Sequence, residues 1–393
     1  GDCLLVNGNS LFAEHYDGPL PVLRFEGHWN PAEESHSYWD RRQLGDLLDE
    51  ADGSCRQIWY ARYPEYEPDT YERLLESRGL LLTETEFTHM ELLEYRFVQP
   101  RVEEGLDLEF KGLRLVGYGT TDPLPAYGRD GGLFMTWEAT RSLDQDYSAF
   151  LHLYDTRGQR IAQGDSLIVD QSYEPTSQWN PGEPKGALYH LAVPPGTPPG
   201  AYELELGVYE LETGRRLPLV TGDSDGKDKS ANLSVRIGSA ARPVPLEGLD
   251  IAHDVNRDLA PGLRLVGYDL ESASVAIGED LPVRLTWKAL EGLEKDCRLK
   301  LALRDNTGRE TVSAQMDLVE TTYPTSDWES GEVIQEWYYL PVTGALPTGE
   351  MSVLVDLLDN DGESFLAQPE PVTRVWVQTT EPPVVVPRTL GDS

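Results

Sequence analysis

The stretch Gly112-Leu-Arg-Leu-Val-Gly-Tyr118 recurs without a change as Gly262-Leu-Arg-Leu-Val-Gly-Tyr268. This copy, at an offset of 150 residues, constrains the fold more than any other feature, because it makes much of the chain two copies of one module. The register extends far beyond the heptapeptide. Thr136-Trp137 matches Thr286-Trp287, Ala139 matches Ala289, Leu143 matches Leu293, and Asp155-Thr-Arg-Gly158 matches Asp305-Asn-Thr-Gly308. Tyr173 matches Tyr323. One residue then drops out, and at an offset of 149 Pro175-Thr176-Ser177 matches Pro324-Thr325-Ser326 and Trp179 matches Trp328. Gly182-Glu183 matches Gly331-Glu332, Tyr189 matches Tyr338, and Gly200 matches Gly349. Two copies make tandem domains, not a solenoid.

From Leu113 onward, short alternating stretches are separated by Gly, Pro, Asp and Asn clusters about every ten residues, the pattern of a β-sandwich. Asp155 to Gly158 and Asp305 to Gly308 read as hairpin turns. The heptapeptide reads as the first strand of each sandwich, with Leu113, Leu115, Leu263 and Leu265 alternating inward. Ahead of the modules, Leu4-Leu5-Val6, Val22 to Phe25, Arg56 to Ala61, Leu80 to Thr83 and Leu92 to Val98 read as strands. Tyr38 to Ala51 has helical spacing at Leu44, Leu47 and Leu48. A second helix opens at Pro68-Asp69 and stops at Gly79. Strands alternating with helices predict a small α/β unit with a largely parallel sheet.

The expected architecture is therefore multidomain, α/β plus all-β. A small Rossmann-like or flavodoxin-like α/β domain covers 1–105, and a first immunoglobulin-like β-sandwich covers 106–238. A Pro-rich linker with Pro243, Pro245 and Pro261 covers 239–261, a second sandwich 262–380, and an extended or disordered tail 381–393. No nucleotide motif follows a strand. By fold analogy, a ligand crevice in the first domain lies beyond the carboxyl ends of its strands, at Asn7, Asn9, Ser10 and Tyr63.

The formal charge of −35 repels nucleic acid and anionic lipid, so nucleic acid is not an expected partner. The acidic residues are spread along the whole chain and read as a solvated surface. Only Cys3, Cys55 and Cys297 are present, which excludes a disulfide-rich scaffold and a paired-cysteine zinc site. Cys3 and Cys55 each precede an apolar strand. If those strands are parallel neighbours, the two lie at one edge of the sheet and a disulfide is possible in an oxidising compartment, although free thiols are favoured. No apolar run reaches membrane-spanning length, and no signal peptide is visible. A strand follows Gly1-Asp2 almost at once, as expected of a processed chain with a region upstream.

Trp137 and Trp287 alternate with Met135 and Leu285 and read as core residues. Trp179 and Trp328 sit in Pro-Thr-Ser-x-Trp loops, where two readings stand. Exposed, the pairs Tyr173/Trp179 and Tyr323/Trp328 would stack on sugar rings. Folded back, each tryptophan would plug the end of its sandwich, and survival of the loop in both copies favours the plug. Catalytic signatures are missing: there is no H-E-x-x-H, no G-x-S-x-G, and no supported Ser/His/Asp set. His28, Glu33, Glu34 and His36 match no metal spacing. Asp223 to Asp228 and Asp359 to Glu363 resemble fragments of calcium loops but read as turns. No metal, cofactor or catalytic residue is expected.

The order of elements resembles a known family region. A strand like Arg56-Gln-Ile-Trp-Tyr60 and a helix like Asp69 to Gly79 precede a module reading Gly-Leu-x-Leu-x-Gly-Tyr, Leu-x-x-Thr-Trp and Leu-x-Asp-x-x-Gly. Pro175-Thr-Ser-Gln-Trp179-Asn-Pro-Gly-Glu183 and Pro198-Pro-Gly-Ala-Tyr202 complete it. This is similar to the soluble carboxyl-terminal region of protein-mannosyltransferase-like membrane glycosyltransferases (family 39 in the broad sense) of filamentous and thermophilic bacteria. The resemblance implies a parent enzyme that uses a polyprenyl-phosphate sugar donor on the outer face of the membrane. Its catalytic acidic residue lies near the first membrane helices, a segment not found here, so no catalytic residue carries over. The chain would be a non-catalytic extracytoplasmic part that binds a glycan or polypeptide acceptor. The alternatives are a free cell-surface or secreted sandwich protein that binds glycan or protein, and a hydrolase with its site in the α/β domain.

Overall fold

A computed structural model describes residues 1–7, 15–25, 29–30, 35–36, 38–51, 53–63, 70–98, 104–120, 124–125, 131–220, 228–239, 244, 246–319 and 323–379. The chain is mostly β-strand in several sheets, with few helices. It divides into two compact units, Gly1–Pro194 with Ala201–Gly238, and Pro195–Gly200 with Ser239–Ser393.

The first unit begins with β1 (Asp2–Asn7), β2 (Val22–Phe25), β3 (Trp29–Asn30), β4 (Ser35–His36), α1 (Tyr38–Ala51), β5 (Gln57–Arg62), α2 (Thr70–Glu76), β6 (Gly79–Glu86) and β7 (Glu91–Phe97). β1, β2, β5, β6, β7 and the two helices fall where periodicity placed them, whereas the two-residue strands β3 and β4 were not expected. Leu44 and Leu48 of α1 and Leu74 and Leu75 of α2 are fully buried with Leu5, Ile58, Tyr60 and Tyr95 of the sheet. The sheet runs β2-β1-β5-β7-β6. β1 pairs in parallel with β2 and β5, but β7 pairs antiparallel with β5 and β6, so the sheet is mixed and not largely parallel. The connection explains the difference. A parallel crossover needs a dozen or more residues, and the short turn between Glu86 and Glu91 permits only a hairpin.

Cys3 and Cys55 are joined in a disulfide with Cα atoms 5.6 Å apart, so the favoured free thiols are corrected. The parallel β1–β5 pairing sets Cys3 opposite Ile58, and Cys55 follows the end of α1, which brings the two sulfurs to one sheet edge. Both cysteines are buried in the domain core.

The first sandwich comprises β8 (Glu104–Phe110), β9 (Leu113–Thr120), β10 (Leu124–Pro125), β11 (Gly132–Ala139), β12 (Tyr147–Tyr154), β13 (Arg160–Leu167), β14 (Pro184–His190), β15 (Gly200–Glu210) and β16 (Ala231–Gly238). Sheets β14-β11-β9-β8 and β10-β16-β15-β12-β13 face each other across one core. The second comprises β17 (His253–Ala260), β18 (Leu263–Leu270), β19 (Ser274–Ala276), β20 (Asp280–Ala289), β21 (Arg298–Arg304), β22 (Glu310–Asp317), β23 (Val333–Pro341), β24 (Gly349–Leu358) and β25 (Glu370–Gln378). Its sheets, β17-β18-β20-β23 and β19-β25-β24-β21-β22, repeat the first arrangement around a second core.

Trp137 and Trp287 fill the two cores, each donating its Nε1–H to a buried tyrosine, Tyr189 at 3.0 Å and Tyr338 at 3.1 Å. The heptapeptide is the second strand of each sandwich, not the first. Gly112 and Gly262 take φ of 103° and 78° in the hairpin turn, a left-handed geometry open to glycine. Leu113, Leu115, Leu263 and Leu265 point inward, and the register slips at Val116 and Val266 in β-bulges. The preceding edge strands escaped the sequence reading. β8 crosses the expected boundary at 105/106, and β17 occupies the end of the expected linker. β17 reads His-Asp-Val-Asn-Arg-Asp-Leu-Ala, and two register shifts erase its alternation. The expected tail, 381–393, lies outside the described residues.

Candidate functional site

The Pro-Thr-Ser-x-Trp loops fold the same way in both copies. Thr176 and Thr325 are buried, and their hydroxyls accept the backbone N–H of Tyr147 at 3.1 Å and of Cys297 at 2.8 Å. Asp146 and Asp296 accept the N–H of Ser177 and Ser326. A short 3-10 turn then drops the tryptophan into the core. Trp179 and Trp328 are 3% and 2% exposed, and their Nε1–H groups donate to the carbonyls of Glu174 and Tyr323. Neither ring has a free face, so the sugar-stacking reading of these two residues is corrected: they are plugs.

Tyr173 and Tyr323 diverge. Asp170 accepts the N–H of Ser172 and of Glu174, each at 2.9 Å, and an ammonium hydrogen of Lys185 at 3.0 Å. That clamp holds Tyr173 at φ 59°, a left-handed conformation uncommon for a tyrosine, and its ring packs against the core of the first domain. The same loop offers the Gln171 carbonyl to Arg78 Nε at 2.8 Å and to Ser77 Oγ at 3.3 Å. Glu76 O lies 2.8 Å from His190 Nε2, and Leu80, Phe134 and Leu188 form a buried cluster. The loop thus fastens the first domain to the first sandwich. A hollow of about 310 Å³ beside it is lined by Arg73, Glu76, Asp165, Ser166, Tyr173 and His190. In the second copy Tyr323 instead stacks on Trp328 and donates to Glu332 at 2.7 Å, and burial with that carboxylate raises its phenol pKa.

No family model matches the chain, and no curated protein matches it. Among solved structures it has a likeness to the alkylpurine DNA glycosylase AlkC of Pseudomonas fluorescens, bound to DNA containing an abasic site analogue. Identity is 12% over 30% of this chain and 31% of that chain, with a TM-score of 0.22, a level that carries no argument.

Of the expected crevice, Asn7 ends β1 and Tyr63 follows β5, while Asn9 and Ser10 lie outside the described residues. Next to Tyr63, Arg62 joins Glu72 of α2 to Glu84 of β6 and Glu91 of β7, which ties that helix to the sheet. His28, Glu33, Glu34 and residues 223–227 also lie outside the described residues. Asp359 accepts the N–H of Asp361 and of Glu363, as a turn-forming aspartate does. Among the described residues, no helix is long and apolar enough to cross a membrane, and no three His, Cys, Asp or Glu converge as metal ligands. One cluster escaped the sequence reading: His152, Tyr154 and Glu205 meet on the outer face of the β12–β15 pair. The signal was available in the register, at positions where the two copies differ.

Proposed function

We propose that this chain is the extracytoplasmic, non-catalytic region of a membrane glycosyltransferase that uses a polyprenyl-phosphate sugar donor, and that it holds the acceptor, a polypeptide or its glycan. The Cys3–Cys55 disulfide carries the reading, because such a buried bond forms and persists in an oxidising compartment. The repeated positions support a scaffold role: Trp137, Trp179, Trp287 and Trp328 are all spent on packing. We read the first domain as Rossmann-like or flavodoxin-like, supported by the parallel β2-β1-β5 strands with α1 and α2 packed on the sheet. The two modules read as immunoglobulin-like, supported by paired sheets with a central tryptophan.

Alkylation of the exported protein, denatured without reductant, tests the compartment. Cys297 alone should react; labelling of all three cysteines in protein taken from its native cells would sink the extracytoplasmic placement. Antibody labelling of intact cells, with membrane fractionation, separates a membrane-tethered chain from a freely secreted one.

A further inference from the structure

The two sandwiches share their cores and diverge on one outer sheet face. In the first, β12 and β15 set Phe150, His152 and Tyr154 opposite Gly207, Glu205 and Glu203. At the same register in the second, Lys300, Ala302 and Arg304 stand opposite Asp356, Leu354 and Ser352. These positions alternate with the core residues Ala149, Leu151 and Leu153, so they lie on the face turned away from the core. No residue of the set is kept between the copies. Folding alone does not require the first set, since the second sandwich folds without it.

On that face Glu205 Oε2 accepts from Tyr154 at 3.0 Å and lies 3.2 Å from His152 Nδ1; Ser230 donates to the same carboxylate. Burial acts to raise the carboxyl pKa, but the three donors outweigh it and hold Glu205 below its usual range. The Phe150 ring is covered by the Arg216 guanidinium, 4.2 Å from its centroid. Beside this network a hollow of about 710 Å³ is lined by Tyr154, Tyr202, Glu203, Glu205, Ser230 and Asn232.

The lining selects a ligand class. Three carboxylates, Asp155, Glu203 and Glu205, disfavour phosphate, sulfate and uronate groups. Arg160 and Arg216 stand close enough to act on the Tyr154 phenol, which disfavours an organic cation. A divalent metal would need three converging ligands, and no three converge among the described residues: Asp155 is engaged by the N–H groups of Arg157 and Gln159 in its own turn. What fits is an uncharged molecule rich in hydroxyls, donating to the Glu203 and Glu205 carboxylates and to the Tyr154 and Ser230 oxygens, whose own hydrogens go to Glu205, and accepting from the Asn232 amide. One apolar face of such a molecule can lie on a tyrosine ring. We propose that this hollow binds a neutral carbohydrate. This deepens the acceptor-binding reading above and rests on it only for biological context.

The test uses the full chain against neutral gluco-, manno- and galacto-oligosaccharides, with uronate oligosaccharides as a contrast, by array and then calorimetry. Tyr154→Arg and the pair His152→Ala/Glu205→Leu install residues that the other sandwich already carries at the same register. Asn232→Ala, at an exposed position, provides the reading if a variant unfolds. Binding of a neutral oligosaccharide weakened about tenfold or more by these changes, with thermal unfolding retained, is the expected result. Binding left unchanged by all the variants overturns the site while sparing an acceptor-binding role. Preference for uronates, or no neutral sugar bound, overturns the ligand class. Neither outcome bears on the disulfide and cell-labelling tests, so the compartment reading stands or falls separately.

Discussion

A tryptophan ahead of Gly-Glu can face water or core, and the side-chain partners decide which. Trp179 and Trp328 give their Nε1–H to carbonyls of their own loops, so each ring is held as a wall of its core. Trp179→Ala and Trp328→Ala should each cost about 3–5 kcal/mol of stability in denaturant titration, the usual cost of emptying a large aromatic site. A loss below about 1 kcal/mol would mean an exposed ring. A second residue-scale expectation concerns acid. The Arg215 guanidinium and then the Thr213 hydroxyl hold the Glu210 carboxyl down to about 2, from an ordinary 4.5. Because the folded value is depressed, this contribution is fully present above pH 4.5 and is lost as pH falls toward about 2. Carboxyl chemical shifts through an acid titration should give that midpoint, and Arg215→Ala should move it back toward 4.5.

Elements were legible where a period survived. The strands and helices of the first domain kept their periodicity, and the β-sandwich modules showed in their alternation and turns. β17 did not, because its polar edge and two register shifts leave no alternating face. The β6–β7 hairpin was hidden for another reason: strand direction is set by the length of the connection and not by the pattern within either strand. The candidate site was the least legible. His152 and Glu205 become neighbours only through the β12–β15 pairing, across 53 residues of sequence. The disulfide is also an element-scale device, since it ties β1 to the entrance of β5 over a separation of 52 residues. Closing a loop of that size should stabilise the first domain by about 4 kcal/mol on the chain-entropy model. A Cys3→Ser/Cys55→Ser chain should show that loss as a lower denaturation midpoint. No loss would mean that the bond adds nothing beyond the packing around it.

At the scale of the molecule, each unit closes cores of its own, the first unit one for its α/β part and one for its sandwich. Tyr60, Trp137 and their neighbours serve the first, and Trp287 and Trp328 the second. A chain built this way has no reason to unfold as one cooperative step, since two-state behaviour belongs to single small cores. The two units can also be addressed separately. The disulfide lies wholly in the first, while Trp328 and the buried free thiol of Cys297 lie in the second. Calorimetry of the full chain should therefore give at least two transitions. Reduction should lower one, and Trp328→Ala should lower a different one. The copies share their core tryptophans and heptapeptide strands, so sequence likeness does not predict which melts first. Within the first unit, the first sandwich is fastened to the first domain through Arg78, Tyr173 and His190. That contact should make the first domain and first sandwich melt together. Arg78→Ala should split their shared transition, and a single endotherm lowered equally by reduction and by Trp328→Ala would refute the division into independent cores.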